Sequence, residues 1–409
     1  MKLLKNELMR LAAFMFMTIA LVGCIKDELP NAEADILDVV LSGDANNSVL
    51  TKKIDLNSVT VFVEPTFNVS NITPIYTLSE GARIVEGGDI TDFTTPQNVK
   101  VVSEDGKWSK IYRIIFAAME LPIQYNFDYW EKKSSTRNYE ECFERVDNGY
   151  GEITNLYMWA SGNAGYAIAN SKAPANGYPT FKTGDCQEGL YAACMQTLWV
   201  GPAGQGSPIA AGSLFIGEFS GKGINIMREP MKATRFGLPF NKKPKTLKFF
   251  FKYKTAEPMY TYDSDGNKTG LYADPITGDT RDYCAAYAIL FDNVKAAQID
   301  PEGRNYLDGS NILSSAAEVG RAILTDDDKY GTDGDTYVYK EIPFTYTEEV
   351  DPVRLAKYEY SLAIVFSSSY YGASFIGGLG NIMWVDNVTL ECYPTDPDTG
   401  DSSSEDSNM

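Results

Sequence analysis

The segment "TLKFFFKYK", residues 246–254, sets Leu247, Phe249, Phe251 and Tyr253 against Lys248, Lys252 and Lys254. A strand with that alternation keeps one face in an apolar core and the other in water. Phe250 is the exception, an aromatic ring among the lysines. The same period-two habit recurs in "YAACMQTLWV", "GSLFIGEF", "YCAAYAILF", "YSLAIVFSS" and "NIMWVDNVTLEC", with Gly, Pro, Asn and Asp clusters between them. A chain built this way must pair its strands and bury alternate residues, which restricts it to the all-β class. One short helix is expected, at "SSAAEVGRAIL", residues 314–324, with Gly320 weakening it.

The pattern begins earlier. "SVTVFVEP" places Val59, Val61 and Val63 on one face of a half-buried strand. "NVKVVSEDGKWSKIYRIIFA" predicts two strands around a turn at Glu104–Lys107, with Tyr112, Ile114 and Phe116 sharing a face afterwards. Short strands between turn-rich spacers over 35–118 predict a small Ig-like β-sandwich. The longer β-rich stretch, 119–394, predicts a jelly-roll sandwich with long loops. The tail 395–409 is acidic, Ser-rich and without large apolar residues before Met409, and predicts disorder.

Composition narrows the chemistry. The 409 residues contain no histidine, which excludes a Ser–His–Asp triad, Cys–His proteases, His-ligated zinc and an imidazole base. Any catalysis must fall to carboxylates, Tyr, Lys, Arg or a hard metal. A formal charge of −19 repels nucleic acid and anionic lipid, so neither is expected as a partner. Five cysteines follow Cys24, namely Cys142, Cys186, Cys194, Cys284 and Cys392, without a C-x-x-C spacing. Buried unpaired thiols are expected, with Cys186 and Cys194 the simplest pair should a disulfide form. The loop "YDSDGNKTG" lacks the glycine and glutamate positions of an EF-hand and reads as a turn, and "DDDKYGTDGD" as a solvated loop.

Residues 1–23 combine Lys2, Lys5 and Arg10 with an uncharged run from Leu11 to Gly23, the length of a signal sequence and too short for a comfortable bilayer span. Leu21, Val22 and Gly23 before Cys24 resemble the bacterial lipoprotein box, which implies cleavage and acylation at Cys24. Residues 24–34 then form a lipidated tether. Ile25, Lys26, Asp27 and Glu28 resemble an export signal of Bacteroidetes surface lipoproteins, which implies an outward-facing outer-membrane location, with the lipid as the one membrane contact.

Two further resemblances follow. "LSEGARI" and "VVSEDGKWSKIYRI" resemble N-terminal Ig-like modules of Bacteroidetes lipoproteins. "WASGNAGYAI", "AAGSLFIGEF", "PFNKKPKTLKFFFKYK", "YAILFDN", "IPFTY" and "SLAIVFSSSYYGASFIGGLGNIMWVDNVTLE" resemble the putative carbohydrate metabolism domain (PCMD) family over roughly 120–393. That resemblance implies a jelly-roll fold similar to carbohydrate-binding modules and a role with glycans, and it carries no established catalytic residue.

Three groups of candidate residues result. In "IMWVDNVTLEC" the row Ile382, Trp384, Val388, Leu390 and Cys392 is apolar with Asp386 in its middle, so an inward carboxylate needs a partner. Last-strand aspartates in similar modules ligate a structural calcium with an acid near the first strand, here Asp128; backbone amides or an Arg are the alternative partners. Trp159, Trp199, Tyr370 and Tyr371 adjoin turn residues and are candidates for stacking on pyranose rings, whereas Trp130, Trp384 and the strand phenylalanines read as core. Paired carboxylates for hydrolysis have a three-dimensional spacing and are not found from sequence. The expectation is a surface-anchored lipoprotein that binds a glycan or polysaccharide without catalysis, alongside outer-membrane polysaccharide-uptake proteins. A hydrolase or lyase using carboxylates is the alternative, and a structural or adhesive subunit the third reading.

Overall fold

The computed structural model describes residues 31–394 except 65, 66, 119, 120, 133–136, 148–152, 202–206, 222, 223, 225, 227, 228, 264, 333 and 334. The expected signal sequence, residues 24–30 of the expected tether including Cys24, and the tail 395–409 lie outside the described residues. No helix among the described residues is long and apolar enough to cross a membrane.

The first unit is the expected Ig-like sandwich. Its strands are β1 (Ile36–Leu41), β2 (Val49–Ile54), β3 (Ser58–Val63), β4 (Pro74–Leu78), β5 (Arg83–Glu86), β6 (Gln97–Val102) and β7 (Ser109–Ala118). One sheet pairs β1 with β4; the other runs β2-β3-β7-β6-β5, with β3 parallel to β7. Val59, Val61 and Val63 meet Tyr112, Ile114 and Phe116 in the core, as the alternation requires. The other face is buried too, so the half-buried expectation for β3 is corrected. Phe62, Ile115 and Ala117 join Leu50 in the core of the second unit, and the two units share an apolar seam.

The second unit is the larger sandwich. A six-stranded sheet runs Thr180–Thr183, Ala192–Gln196, Ile382–Cys392, Pro244–Lys254 and Val338–Pro343, with β8 (Gln124–Tyr125) pairing the 382–392 strand. A nine-stranded sheet has Ser213–Phe219, Tyr360–Ser367, Ala285–Asp292 and Glu318–Ile323 at its centre. Leu247, Phe249, Phe251 and Tyr253 are wholly buried and face Leu362, Ile364 and Phe366 of the other sheet, with Phe249 and Phe366 5.3 Å apart edge to face. Strand 285–292 is buried on both sides, because a second core of Phe215, Tyr287, Ile289 and Val365 covers the outer face of its sheet.

The helix expected at 314–324 is instead strand Glu318–Ile323, paired with 285–292 and with Thr345–Tyr346. Helical spacing there was matched by strand burial of Val319 and Ala322, and pairing satisfies the exposed backbone edge of 285–292. Gly320 has a different use from helix weakening: a Cβ there would stand 2.7 Å from the Tyr346 ring. All five described cysteines are free; Cys142, Cys194 and Cys284 are buried, and Cys186 is not bonded to Cys194.

The shared seam makes a prediction. Phe62→Ala should cost about 3–5 kcal/mol, the usual loss for a buried phenylalanine. Calorimetry should show the first unit melting ahead of the second in the variant, against a joint transition in the parent chain.

Candidate functional site

The last strand, 382–392, changes face part-way along. Phe250 pairs with Asp386 but Lys248 pairs with Thr389, so three steps on one strand match two on the other. Asn387, with φ 47°, sits at this bulge. On its N-terminal side Met383 and Val385 point into the core; beyond it Val388 and Leu390 do. The expected even-numbered row is therefore corrected: Ile382 and Trp384 turn outward, and Asp386 lies on the outer face beside Phe250.

Asp386 is nonetheless solvent-inaccessible, because the loop 185–191 lies over it. Its Oδ2 accepts from the Gln187 and Glu188 amides at 2.7 and 3.1 Å, and Oδ1 from Asn387 at 2.8 Å. Asp128 grips the far end of the same loop, Oδ1 accepting from the Leu190 and Tyr191 amides at 2.6 and 3.1 Å. Its Oδ2 takes the Asn126 side-chain amide at 3.0 Å. Burial raises the Asp386 pKa, the three amides oppose the rise, and the charge of Asp128 adds to it. Gly189, with φ +80°, is required here, since a Cβ would strike the Asp128 carboxylate at 2.6 Å. At the near end Lys252 reaches Asp185 at 2.5 Å and lies 4.7 Å over the Tyr337 ring and 5.0 Å over Trp384. Trp384 is thus part of a cation–π sandwich, not of the core.

The structure brings Asp128 and Asp386 together as the resemblance implied, but as two clamps on one loop. All four carboxylate oxygens face N–H donors, which direct hydrogens where a cation would sit. Calcium asks for six to eight oxygens, and the described residues contain no group of three or more Asp, Glu or Cys placed to hold a metal ion. The donor set does not fit calcium.

The pinned loop walls one side of an open cleft of about 610 Å³ on the outer face of the six-stranded sheet. Its floor is aromatic. Phe250 and Tyr339 stand side by side, 4.9 Å between ring centroids, and Tyr129 lines the same cleft under the Arg145 guanidinium. Gln124, Asn126, Glu188, Asn387 and Thr389 bring polar groups to the rim. Asn387 donates to the Glu188 carboxylate at 3.3 Å. Lys248 is already engaged by Glu391 at 2.8 Å and Glu341 at 3.6 Å.

Glu144 completes the inner wall. It begins strand Glu144–Asp147, paired with Ile153–Leu156, and is 8 % exposed. Its Oε1 is buried without a hydrogen bond among the described residues. The Trp159 indole N–H is turned toward it without closing full hydrogen-bond geometry. Burial pushes the carboxyl up to about 8; the indole opposes this and Asp128 adds to it. Glu144 is therefore an uncharged acid at neutral pH. Sequence reasoning missed it, since its burial is set by strands distant in the chain.

The expected stacking residues scatter. Trp159 is 2 % exposed and packs edge-on against Tyr125 and Phe127, so its placement at the surface is corrected: strand Trp159–Ala160 pairs with Ile216 and Phe215 and turns the indole into the core. Trp199 is exposed, near the turn at Gly266. Tyr370 stacks on Tyr283 at 4.8 Å, and Tyr371 donates to Asp274 at 3.2 Å. They belong to a loop knot around Asp282, which accepts from Ser369, the Gly378 amide and Asn381, each at 2.7 Å. Burial lifts Asp282 to about 6 against those bonds. None of these four aromatics lines the polar cleft. Tyr370 instead edges an apolar cavity of about 220 Å³ on the nine-stranded sheet, with Phe219, Met231, Phe236 and Leu313. That lining offers sugar hydroxyls little to bond.

The β-sandwich thus carries an open cleft with an aromatic floor and a polar rim on one face. The chain belongs to the PCMD family: the model of the putative carbohydrate metabolism domain matches residues 126–391. A model described as SGBP, N-terminal, matches residues 40–114. A putative glycoside hydrolase from Bacteroides thetaiotaomicron is 34% identical, covers 90% of this chain and 99% of its own, and superposes with a TM-score of 0.66. A second, from Bacteroides vulgatus, is 27% identical over 67% of this chain and 99% of its own, with a TM-score of 0.54. No curated protein matches the chain.

Two outcomes are expected. Asp386→Ala removes the acceptor of two loop amides, a loss of about 1–3 kcal/mol each where buried, and hydrogen exchange across 185–191 should accelerate while the core stays protected. Glu144 ionises at 4.5 unfolded and about 8 folded, so it lowers stability progressively as pH climbs between those values. Glu144→Gln should leave urea stability unchanged at pH 4 and raise it by about 3 kcal/mol at pH 7.

Proposed function

We propose that the chain binds carbohydrate in the polar cleft and holds it without cleaving it. The observation that carries this reading is the outward pair Phe250 and Tyr339 on a strand face otherwise occupied by lysines. Pyranose C–H faces stack on such rings, while rim amides and carboxylates bond the hydroxyls. The SGBP match supports the same reading, and so does the family's carbohydrate description. We place the protein as a lipoprotein anchored through Cys24 on the outer membrane, presenting the cleft outward beside polysaccharide-uptake proteins; Lys2 to Glu28 is the basis for that placement.

One observation favours hydrolysis as a second reading. Glu144 retains a proton at neutral pH, as a general acid must, and the two similar structures are described as putative glycoside hydrolases. A second carboxylate about 5–9 Å away is then required. Glu188, which also lines the cleft, is the candidate, since both Asp128 oxygens are held by amides.

Affinity electrophoresis against a polysaccharide panel separates these readings. Phe250→Ala and Tyr339→Ala should each weaken retention at least tenfold, about 1.4 kcal/mol, with no reducing ends released by the parent chain. Release of reducing sugar that disappears in Glu188→Gln would establish the hydrolase instead. For the anchor, radioactive palmitate should label the wild-type chain and not Cys24→Ala.

A further inference from the structure

The cleft contains one polar group whose placement calls for a ligand. Glu144 lines it, is more than nine-tenths buried, and leaves Oε1 with no formed hydrogen bond among the described residues. Oε1 itself is closed off, so it is the remaining exposed part of the side chain that meets the cleft, and a hydrogen bond made there would offset part of the cost of burying the acid. Beneath it pack Tyr125, Cys142 and Trp159, and no cation pairs with it among the described residues.

We propose that the Glu144 carboxyl donates a hydrogen bond to an oxygen of a neutral glycan bound in the cleft. This rests on the reading of the cleft as a glycan site. The surrounding charges select the neutral class. Glu188 brings a carboxylate to the cleft, the charge of Asp128 acts on Glu144, and Lys248 is committed to Glu341 and Glu391. Arg145 is the remaining cation among the described residues of the cleft, and it lies over Tyr129. A uronate would meet carboxylates with little compensation. The other titratable groups facing Glu144 are Tyr125 and Cys142, both raised by burial and by the Glu144 charge itself, so neither ionises first. Tyr339, on the floor, is raised by its hydrogen bond to Glu341.

The test uses the full chain in affinity gels containing xylan, mixed-linkage β-glucan, galactomannan or homogalacturonan, at pH 7 and pH 9. An acid titrating near 8 is mostly protonated at the first and mostly ionised at the second, so affinity should fall about tenfold. Glu144→Gln keeps an N–H donor and cannot ionise, so its ratio of affinities at the two pH values should be close to one. Carbon-13 NMR of glutamate-labelled protein should show a carboxyl titrating near 8 in the parent chain and missing in the variant. An equal affinity of the parent chain at both pH values, the same drop in Glu144→Gln, or strongest retention by homogalacturonan would overturn the inference while leaving glycan binding intact. If no polysaccharide retards the chain, the glycan reading itself falls and this inference with it, whatever the titration finds.

Discussion

One additional residue in the last strand organises the outer face of the six-stranded sheet. The bulge at Asn387 exchanges the inward and outward sets of strand 382–392, and so brings Asp386 out beside Phe250. Without it, a carboxylate would point into a core of Phe249, Phe251 and Leu362, a position no buried charge tolerates unpaired. With it, the carboxylate collects two loop amides and one of its own strand. The loop 185–191 then becomes a fixed wall instead of a solvated connection, and the cleft exists because that wall stands.

The buried acids divide by the partners available to them. Asp386 and Asp128 are surrounded by N–H donors and act as fasteners. Asp282 does the same for the loops between 368 and 381, in the segment "SSSYYGASFIGGLGN". Its serines, glycines and asparagine wrap a carboxylate, and its tyrosines stack around the knot. Glu144 is buried with only the Trp159 indole N–H turned toward it, and burial wins, pushing its carboxyl up to about 8. In a chain without histidine, this is how a proton donor persists at neutral pH.

Much of the fold was legible because burial in a sandwich repeats every two residues. The strands read from "TLKFFFKYK", "YCAAYAILF" and "YSLAIVFSS" all occur, and so do the turn at 104–107 and the valine row of β3. Failures arose where that period is locally broken or where two periods coincide. Strand 318–323 satisfied a helical spacing, and the bulge reversed the face of Trp384. Trp159 adjoins a turn yet is drawn inward by its pairing with 215–216. The sequence did carry one unused signal for the cleft: Phe250 breaks the lysine face, and a ring kept in water at that place asks for a reason.

The sequence by itself determined the all-β class, the alternation that builds both sandwiches, the absence of imidazole chemistry and an acidic surface, since each depends on residue type or on neighbours along the chain. Tertiary structure alone decided which aromatics share a floor, which carboxylates find amides and which remains neutral. Tyr129, Phe250 and Tyr339 come from three separate strands and loops, and Glu144 meets Trp159 and Asp128 only after folding. Cross-strand register and desolvation are properties of assembled sheets, and neither has a local trace in the chain.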